Sequence, residues 1–327
     1  MSAVTLIANP ASGRGLGARL IPRARAAFAG EGVRDVRLTT HPGDESRLVH
    51  AALDDGATLI AVLGGDGTWS KCAAALAASG STASIAFLRG GTGNDFAKNF
   101  TAPAGDFAAM ARLCTGAHEV RVTDMGRVES DDQSDAFLNV AGFGFDVAVL
   151  EQTLRGGVLS GYAVYIAAAI RSLLGYKGID IGVHPLRPSM RRALMLVVSN
   201  GSHFGGAFRI APEARVDDGL LDLVSVGDIR GLARMALLLR VVRGTHGAHP
   251  QVRCARADAF HLRFANPPDY ECDGELYRAL SPEVSVRCVR GAIRVMAGAA
   301  TGAPPHSAGS SASAGAARAS ASRHRAP

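Results

Sequence analysis

The sequence has few cysteines, few aromatic residues and no long apolar segment, and each shortage excludes a class of protein. Its five cysteines are odd in number and include no C-x-x-C pair, which supports neither a disulfide framework nor a zinc site. The uncharged, apolar-rich stretch 156–170 is shorter than the roughly 18 to 20 apolar residues that a membrane-spanning helix needs. No charged leader precedes the first apolar run, so we expect no signal peptide and a soluble protein of the reducing cytoplasm.

A strong excess of charge is also absent. The chain has 35 Lys and Arg against 29 Asp and Glu, and part of this excess lies in an acid-free tail, residues 297–327. The tail is rich in Ala, Ser, Gly and Pro, a composition that predicts disorder. Aromatic residues are only 6% of the chain, and no basic stripe with aromatic platforms is visible, so we expect no nucleic-acid partner. The mild positive charge suits anionic ligands or an anionic membrane surface.

What the chain does have is apolar residues, 47% of the total, in two different patterns. Over residues 1–120, short β-rich runs alternate with helical stretches, which predicts an α/β domain with a doubly wound parallel sheet. Over residues 121–288 most segments alternate as antiparallel strands, interrupted by helical stretches near 146–174 and 229–243, which predicts a mostly β second domain. We expect residues 289–296 to return to the first domain and the active site to lie in the interdomain cleft.

A glycine-rich corner follows the apolar run 57–63. Its residues are Gly64, Gly65, Asp66, Gly67 and Thr68. Glycines let a ligand approach the backbone closely, and the N–H groups of the loop and of the next helix's first turn point at anionic oxygens. A carboxylate beside a polyphosphate requires a cation between them, so Asp66 predicts a nucleoside triphosphate with Mg²⁺. A strand-turn-helix corner with a solvated aspartate is the ordinary alternative.

Two further loops have the same character. Residues 90–96 follow the predicted strand 84–88, with Asn94 or Asp95 placed to cap the next helix, and residues 9–17 follow the strand 4–8. Because the carboxyl ends of parallel strands share one edge of a sheet, all three loops are expected to converge there, where open α/β folds bind ligands.

Two acidic turns in the second half carry further candidate chemistry. Asp218 and Gly219 form one turn, whose carboxylate and neighbouring carbonyls suit a hard cation. Asp273 and Glu275 flank Gly274 in the other and, two residues apart on a strand edge, are expected on one side, where a carboxylate can act as general base toward a hydroxyl. For each turn alone, an ordinary hairpin turn is the alternative.

In order and spacing, these motifs resemble the diacylglycerol kinase catalytic-domain family, and most nearly its soluble bacterial lipid kinases, which are related to sphingosine and ceramide kinases. The motifs are Asn9-Pro…Ser12-Gly13, Gly64 to Thr68, Gly91 to Ala97, Asp124 to Gly126, Asn139 to Asp146, Ala211-Pro…Asp218-Gly219 and Asp273 to Glu275. The match spans about residues 4–296, and its specificity comes from the combination rather than from any one motif.

The resemblance implies an ATP- and Mg²⁺-dependent kinase for a hydroxyl of a lipid such as diacylglycerol, phosphatidylglycerol, a sphingoid base or ceramide, working in the cytoplasm at the inner face of the membrane. Residues implied to hold ATP are Asn9, Ser12, Gly13, Thr39, Thr40, Gly64, Gly65, Asp66, Gly67, Thr68, Gly91, Thr92, Gly93 and Asn94. Residues implied to surround the catalytic Mg²⁺ through water are Asp66, Asp95 and Asp124. A second, structural cation is implied at Asp218 and the main-chain oxygens of Arg215 and Leu220. Asp273 is implied to deprotonate the lipid hydroxyl, with Glu275 assisting or taking that role, which agrees with the needs of in-line phosphoryl transfer.

The chain departs from the family pattern at three positions, and other functions remain open. Ser70 and Lys71 stand where Asn-Glu is common, and Arg89 replaces a usual proline; Lys71 and Arg89 either add phosphate contacts or are surface charge. The GGDGT run is shared with NAD kinases, which makes an NAD kinase-like phosphotransferase one alternative. Another is an oxidoreductase, although no acid ends the second strand to hold a ribose. A third is a nucleotide-binding, lipid-sensing module without turnover. The sequence also leaves the acceptor lipid and a homodimer open.

Overall fold

The computed structural model describes residues 3–155, 175–206, 208–231 and 233–298. The helical stretch predicted over 146–174 is therefore described only to residue 155. The predicted disordered tail lies outside the described residues except for Ala297 and Gly298, which belong to a strand.

The first part of the chain alternates strands and helices, as the sequence predicts. Its elements are β1 (Val4–Ala8), α1 (Ser12–Gly30), β2 (Val36–Leu38), α2 (Asp44–Asp54), β3 (Leu59–Gly64), α3 (Asp66–Ser79), β4 (Ser84–Arg89), a 3₁₀ turn (Phe96–Asn99) and α4 (Phe107–Thr115). The strands pair in parallel in the order β4-β3-β1-β2.

Helices cover both faces of this parallel sheet, so β1 and β3 are buried throughout. Alternate side chains point to opposite faces of a strand. Ile7 and Val62 accordingly belong to the apolar cluster under α2 and α3, whereas Leu6 and Leu63 belong to the cluster under α1 and α4. The predicted doubly wound sheet is confirmed, and it brings the loops after β1, β3 and β4 to one edge.

The second part of the chain is mostly antiparallel β-structure, which also confirms the prediction. Its elements are β5 (Glu119–Ser130), β6 (Gln133–Phe137), β7 (Val140–Gly144), α5 (Phe145–Arg155), β8 (Ile179–His184), β9 (Arg187–Ser199), β10 (Leu221–Gly227), α6 (Ala233–Arg243), a 3₁₀ turn (His246–Ala248), β11 (Val252–Ala257), β12 (Ala259–Phe264), β13 (Asp269–Cys272), β14 (Glu275–Arg278) and β15 (Glu283–Gly298). In the part of the chain that the structure describes, no helix is long and apolar enough to cross a membrane.

The strand β15 joins the two parts of the fold. Near its end it pairs in parallel with β4, at Arg294 and Val295, and over its length it pairs antiparallel with β5 and, in its first half, with β12. Its register with β5 shifts between Val289 and Ile293, a bulge in which Gly291 has a φ of 57°. The bulge turns one backbone N–H of β15 out of the ladder, and this N–H has a partner in the candidate site.

Candidate active site

Three loops at the carboxyl edge of the parallel sheet are tied to one another. The side-chain amide of Asn9 donates to the Thr68 hydroxyl oxygen at 2.9 Å, which joins the first loop to the start of α3. The Ser12 hydroxyl donates to the Gly90 carbonyl at 3.0 Å, and the Gly90 N–H donates to the Gly64 carbonyl at 2.8 Å. The predicted convergence of the three loops is therefore present among the described residues.

Glycine is required where these loops touch. A Cβ on Gly91 would lie 2.4 Å from the Gly65 Cα, so the two glycine-rich corners meet backbone to backbone. Gly13 has a φ of 57°, and a Cβ there would lie 2.8 Å from the Gly90 carbonyl oxygen. The Asn94 side chain closes its own loop by accepting from the Gly91 N–H at 3.0 Å and donating to the Gly91 carbonyl at 2.6 Å. The result is a cradle of exposed main chain suited to phosphate oxygens.

The remaining residues implied to bind ATP lie at the same edge but differ in accessibility. Thr39 follows β2, is buried, and its N–H donates to the Ala8 carbonyl. The Thr40 hydroxyl donates to the Asp44 carboxylate at 2.6 Å, so it is engaged with the start of α2. Thr92 is exposed at the tip of its loop and is free to meet a ligand.

Asp66 and Asp95 face each other across Gly93. A Cβ on Gly93 would lie 3.1 Å from Asp66 Oδ2 and 3.2 Å from Asp95 Oδ2, so the two carboxylates converge on one point. Asp66 Oδ1 accepts from the Phe96 N–H at 3.0 Å, so Asp66, rather than Asn94 or Asp95, caps the 3₁₀ turn. Burial raises the pKa of Asp66, and the nearby charge of Asp95 raises it further. A divalent cation would relieve the repulsion between these two acids.

The groups around this pair limit how it could hold a metal ion. Lys98 Nζ contacts Asp95 Oδ1 and donates to the Gly206 carbonyl at 2.5 Å, while the Gly206 N–H donates to Asp95 Oδ2 at 2.8 Å. Among the described residues, no three His, Cys, Asp or Glu side chains are grouped to hold a metal ion. Because both Asp95 oxygens already have partners on the chain, Asp66 would be the direct ligand of a hydrated Mg²⁺ and Asp95 would act through water, which is how the ion prefers to bind.

Asp124 lies on β5 and its carboxylate is directed to backbone donors. Its Oδ2 accepts from the Gly219 N–H at 2.6 Å and its Oδ1 from the Gly291 N–H at 2.7 Å, the latter being the group freed by the β15 bulge. The structure thus joins Asp124 to the Asp218 turn, and no contact between Asp124 and the Asp66–Asp95 pair is present in the described residues. Arg215 and Leu220 lie on the loop that contains this turn, and Asp218 itself contacts the guanidinium of Arg256.

Asp273 and Glu275 do not share a strand edge, which differs from the sequence interpretation. Asp273, with a φ of 50°, and Gly274 form the two-residue turn between β13 and β14. This turn sends the Asp273 side chain inward, where its Oδ2 accepts from the Leu138 N–H at 2.6 Å and its Oδ1 from the N–H groups of Asn139 and Val140 at 3.0 Å. The same bonds hold the short link between β6 and β7.

The Asp273 carboxyl is buried close to the start of α3. Burial is the largest influence on its pKa, which rises to about 6 even though the Ser70 hydroxyl and the backbone donors stabilise the carboxylate. The charge of Asp66 also raises this pKa, so the two acids lie within electrostatic reach of each other. A carboxylate with a pKa near neutrality is suited to accept a proton from a substrate hydroxyl.

The Glu275 side chain lines a cavity of about 350 Å³, whereas the Asp273 side chain is turned inward to the backbone at Leu138. Its Oε1 is 3.0 Å from Lys71 Nζ, and both side chains are partly exposed. The cavity residues are Gly67, Ser70, Lys71, Ala74, Arg127, Ser134, Asp135, Ala136, Cys272, Glu275 and Tyr277. Two of the positions that depart from the family pattern, Ser70 and Lys71, therefore lie on its wall, while Arg89, the third, is exposed.

A buried acid pair behind Asp273 was not identified as functional from the sequence. Asp146, at the start of α5, and Glu271, on β13, meet over Gly142, where a Cβ would lie 1.6 Å from Asp146 Oδ2 and 3.0 Å from Glu271 Oε1. Burial raises the pKa of Asp146 to about 7 and that of Glu271 well above its usual value. Glu271 Oε2 accepts from the Gly274 N–H at 2.8 Å, so the pair supports the turn that carries Asp273. Asp146 is the last residue of the sequence motif Asn139 to Asp146, but its pairing with Glu271 could be recognised only from the fold.

Family models match both parts of the chain. Residues 3–128 match the family model described as the diacylglycerol kinase catalytic domain, and residues 139–297 match the YegS C-terminal NAD kinase beta sandwich-like domain. A protein of Stenotrophomonas maltophilia named "probable lipid kinase YegS-like" is 31% identical over 82% of this chain and 88% of its own length. A protein of Xanthomonas campestris pv. campestris with the same name is 33% identical over 80% and 85%.

Solved structures share the fold. One of a diacylglycerol kinase from Bacillus anthracis str. Sterne superimposes with a TM-score of 0.65 at 20% identity, over 90% of this chain and 97% of that one. A second chain from that organism reaches a TM-score of 0.71 at 22% identity over the same shares. At this identity the likeness concerns the architecture alone.

Proposed function

The chain belongs to the family of YegS-like lipid kinases that carry a diacylglycerol kinase catalytic domain, and from that premise we propose that it transfers the γ-phosphoryl group of ATP, with Mg²⁺, to a hydroxyl of a membrane lipid. The observation that carries this proposal is the position of Asp273, a buried carboxyl beside the first turn of the helix that begins with Asp66. A proton acceptor and a candidate metal-binding acid are thereby close to one phosphate cradle.

The nucleotide is held mainly by backbone. We assign the phosphate oxygens to the N–H groups of Gly65–Thr68, Thr92 and Gly93 and to the loop after Asn9, while the Gly91 N–H stays bonded to the Asn94 side chain. The start of α3 adds the positive end of its helix dipole. Asp66 and, through water, Asp95 would hold a hydrated Mg²⁺, which would neutralise part of the triphosphate charge. Lys98, fixed between Asp95 and Gly206, adds a positive charge at the same place.

The acceptor lipid places its hydroxyl at the cavity beside α3. Ser70 lines this cavity and hydrogen bonds to Asp273, so it connects the cavity to the proposed base. As the acceptor oxygen bonds to the γ-phosphorus and the bond to ADP breaks, the hydroxyl proton passes to the Asp273 carboxylate. Glu275 remains paired with Lys71 and shapes the cavity wall.

The same proposal places the protein in the cytoplasm, in transient contact with the anionic inner face of the membrane. A lipid acceptor has to be reached at the bilayer surface, and the net charge of +6 favours attraction to anionic headgroups. A homodimer is compatible with this arrangement but is not required by it.

Phosphorylation of a lipid panel tests the proposal. Purified protein, radiolabelled ATP and Mg²⁺ are incubated with vesicles containing diacylglycerol, phosphatidylglycerol, ceramide or a sphingoid base, and at least one lipid is expected to be labelled. Asp273→Asn should lower labelling by at least about 100-fold while ATP binding persists. The matched control is Asp269→Asn, an exposed acid at the start of the strand that leads into the Asp273 turn, where it pairs with exposed Arg278.

Two results would redirect the assignment. Labelling of NAD with no lipid labelled would favour the NAD kinase-like alternative. ATP binding without transfer to any acceptor would favour the lipid-sensing module.

A further inference from the structure

The turn at Asp218 already contains positive charge supplied by the chain. Arg256, on β11, contacts the Asp218 carboxylate through its guanidinium, and its Nε lies 3.3 Å from Asp222 Oδ1. This position is set by the sheet, because Asp222 on β10 is directly paired with Arg256 on β11. The guanidinium is therefore presented to two acids by strand pairing rather than by a freely moving loop.

The Asp218 carboxylate has little capacity left for a metal ion. Its Oδ1 accepts from the Leu220 N–H at 3.1 Å, and its Oδ2 is the atom that contacts Arg256. A second guanidinium lies against the turn as well, since a Cβ on Gly219 would be 2.5 Å from Arg290 Nε. A divalent cation at Asp218 would have to displace Arg256 and would meet the charge of Arg290, so the residues present do not fit the structural cation that the family resemblance implies.

We infer that the Arg256 guanidinium takes the place of that second cation and fastens the turn to the β10–β11 pair. The consequence extends to Asp124 on β5, because the Gly219 N–H in this turn donates to its carboxylate at 2.6 Å. Arg256 is thus a positioning residue for the Asp218 turn and, through it, for Asp124. Divalent cations then have no role in holding this part of the fold, whatever the acceptor of the phosphoryl group.

Thermal unfolding of chelator-treated protein without nucleotide tests the inference. Wild type, Arg256→Gln and Arg256→Gln/Asp218→Asn are melted with and without millimolar Mg²⁺ or Ca²⁺ at constant ionic strength. We expect no metal-dependent shift of Tm in the wild type, and a Tm about 2 to 4 °C lower for Arg256→Gln. Either ion should restore the Tm of Arg256→Gln, since the freed Asp218 carboxylate accepts it, and the double variant should lose that response.

A matched control and the contrary outcomes complete the test. Arg263→Gln removes an arginine from an exposed pair with Glu283 and should show neither the drop nor a metal response. A metal-dependent rise of the wild-type Tm that disappears in Asp218→Asn would overturn the inference. So would an unchanged Tm in Arg256→Gln, or a drop that neither ion restores. Because none of these measurements uses catalysis, a failure here is distinct from a failure of the proposed function.

Discussion

The pH dependence of lipid phosphorylation follows from the burial of Asp273. Burial raises the pKa of this carboxyl from 3.8 to about 6, and the proposed base is active only when ionised. Activity is therefore expected to be high above the raised pKa and to be lost as the pH falls through it. An exposed aspartate would lose its charge only near pH 4.

The size of the effect follows from the ionised fraction. With a pKa of about 6, roughly ten elevenths of the Asp273 carboxyl is ionised at pH 7 and roughly one eleventh at pH 5. The value of kcat/KM should thus fall about tenfold between pH 7 and pH 5. With an ordinary aspartate pKa, the same interval would change the ionised fraction by less than about a tenth.

The assay measures initial rates of lipid labelling at subsaturating lipid and a fixed concentration of the Mg²⁺–ATP complex. Nucleotide binding, followed separately at each pH, shows whether loss of ATP affinity contributes to the decline. Ser70→Ala removes a hydroxyl that stabilises the Asp273 carboxylate, so it should move the acid limb of the profile to higher pH. Ser134→Ala removes a hydroxyl from another part of the cavity wall and should leave the position of the limb unchanged.

The reasoning is refuted if kcat/KM stays flat between pH 5 and pH 7 with nucleotide binding intact. It is also refuted if the limb keeps its position in Ser70→Ala, because the hydroxyl would then have no influence on the group that titrates.

Two further substitutions test the phosphate cradle and the cavity. Gly91→Ala forces a Cβ to within 2.4 Å of Gly65, so we expect ATP affinity measured by nucleotide titration to fall at least about tenfold, whereas Gly105→Ala, at an open position, should bind ATP normally. Lys71→Glu places like charge opposite Glu275 and should raise the KM for lipid, with a stability change of no more than about 1 kcal/mol because the pair is partly exposed. The double variant Lys71→Glu/Glu275→Lys restores an ion pair of reversed polarity, so its KM for lipid should return most of the way to the wild-type value. A KM for lipid that Lys71→Glu leaves unchanged would show that the pair does not shape the acceptor site.

Much of the fold could be predicted from the hydrophobic periodicity of the sequence and from its turn residues. The strand predicted over 4–8 has those bounds in the structure, and β4 extends the strand predicted over 84–88 by one residue. Strong alternation and glycine-rich corners are local signals, and the parallel sheet then brings the three corners together. The convergence of these loops could be predicted because it depends only on strand direction.

The orientation of individual acids could not be predicted, since it depends on contacts between segments distant in sequence. Asp273 turns inward because the backbone at Leu138–Val140 offers three donors, a partner set that is 133 to 135 residues away. Asp124 turns to Gly219 and Gly291, and the latter N–H is free only because β15 is bulged. Short strands such as β13 and β14 were not predicted, because four residues are too few to show a clear alternation of apolar and polar side chains.

The strand β15 has a consequence for the order in which the molecule is made. It is the neighbour of β4 in the parallel sheet, yet about 190 residues of chain are synthesised after β4 before it emerges from the ribosome. Until then the α/β half has an open edge at β4, an unpaired row of backbone groups that favours aggregation. Ribosome-bound chains that stop before Glu283 should therefore need chaperones to stay soluble. The α/β half and the β-rich half should become protease-resistant together, once β15 is in place.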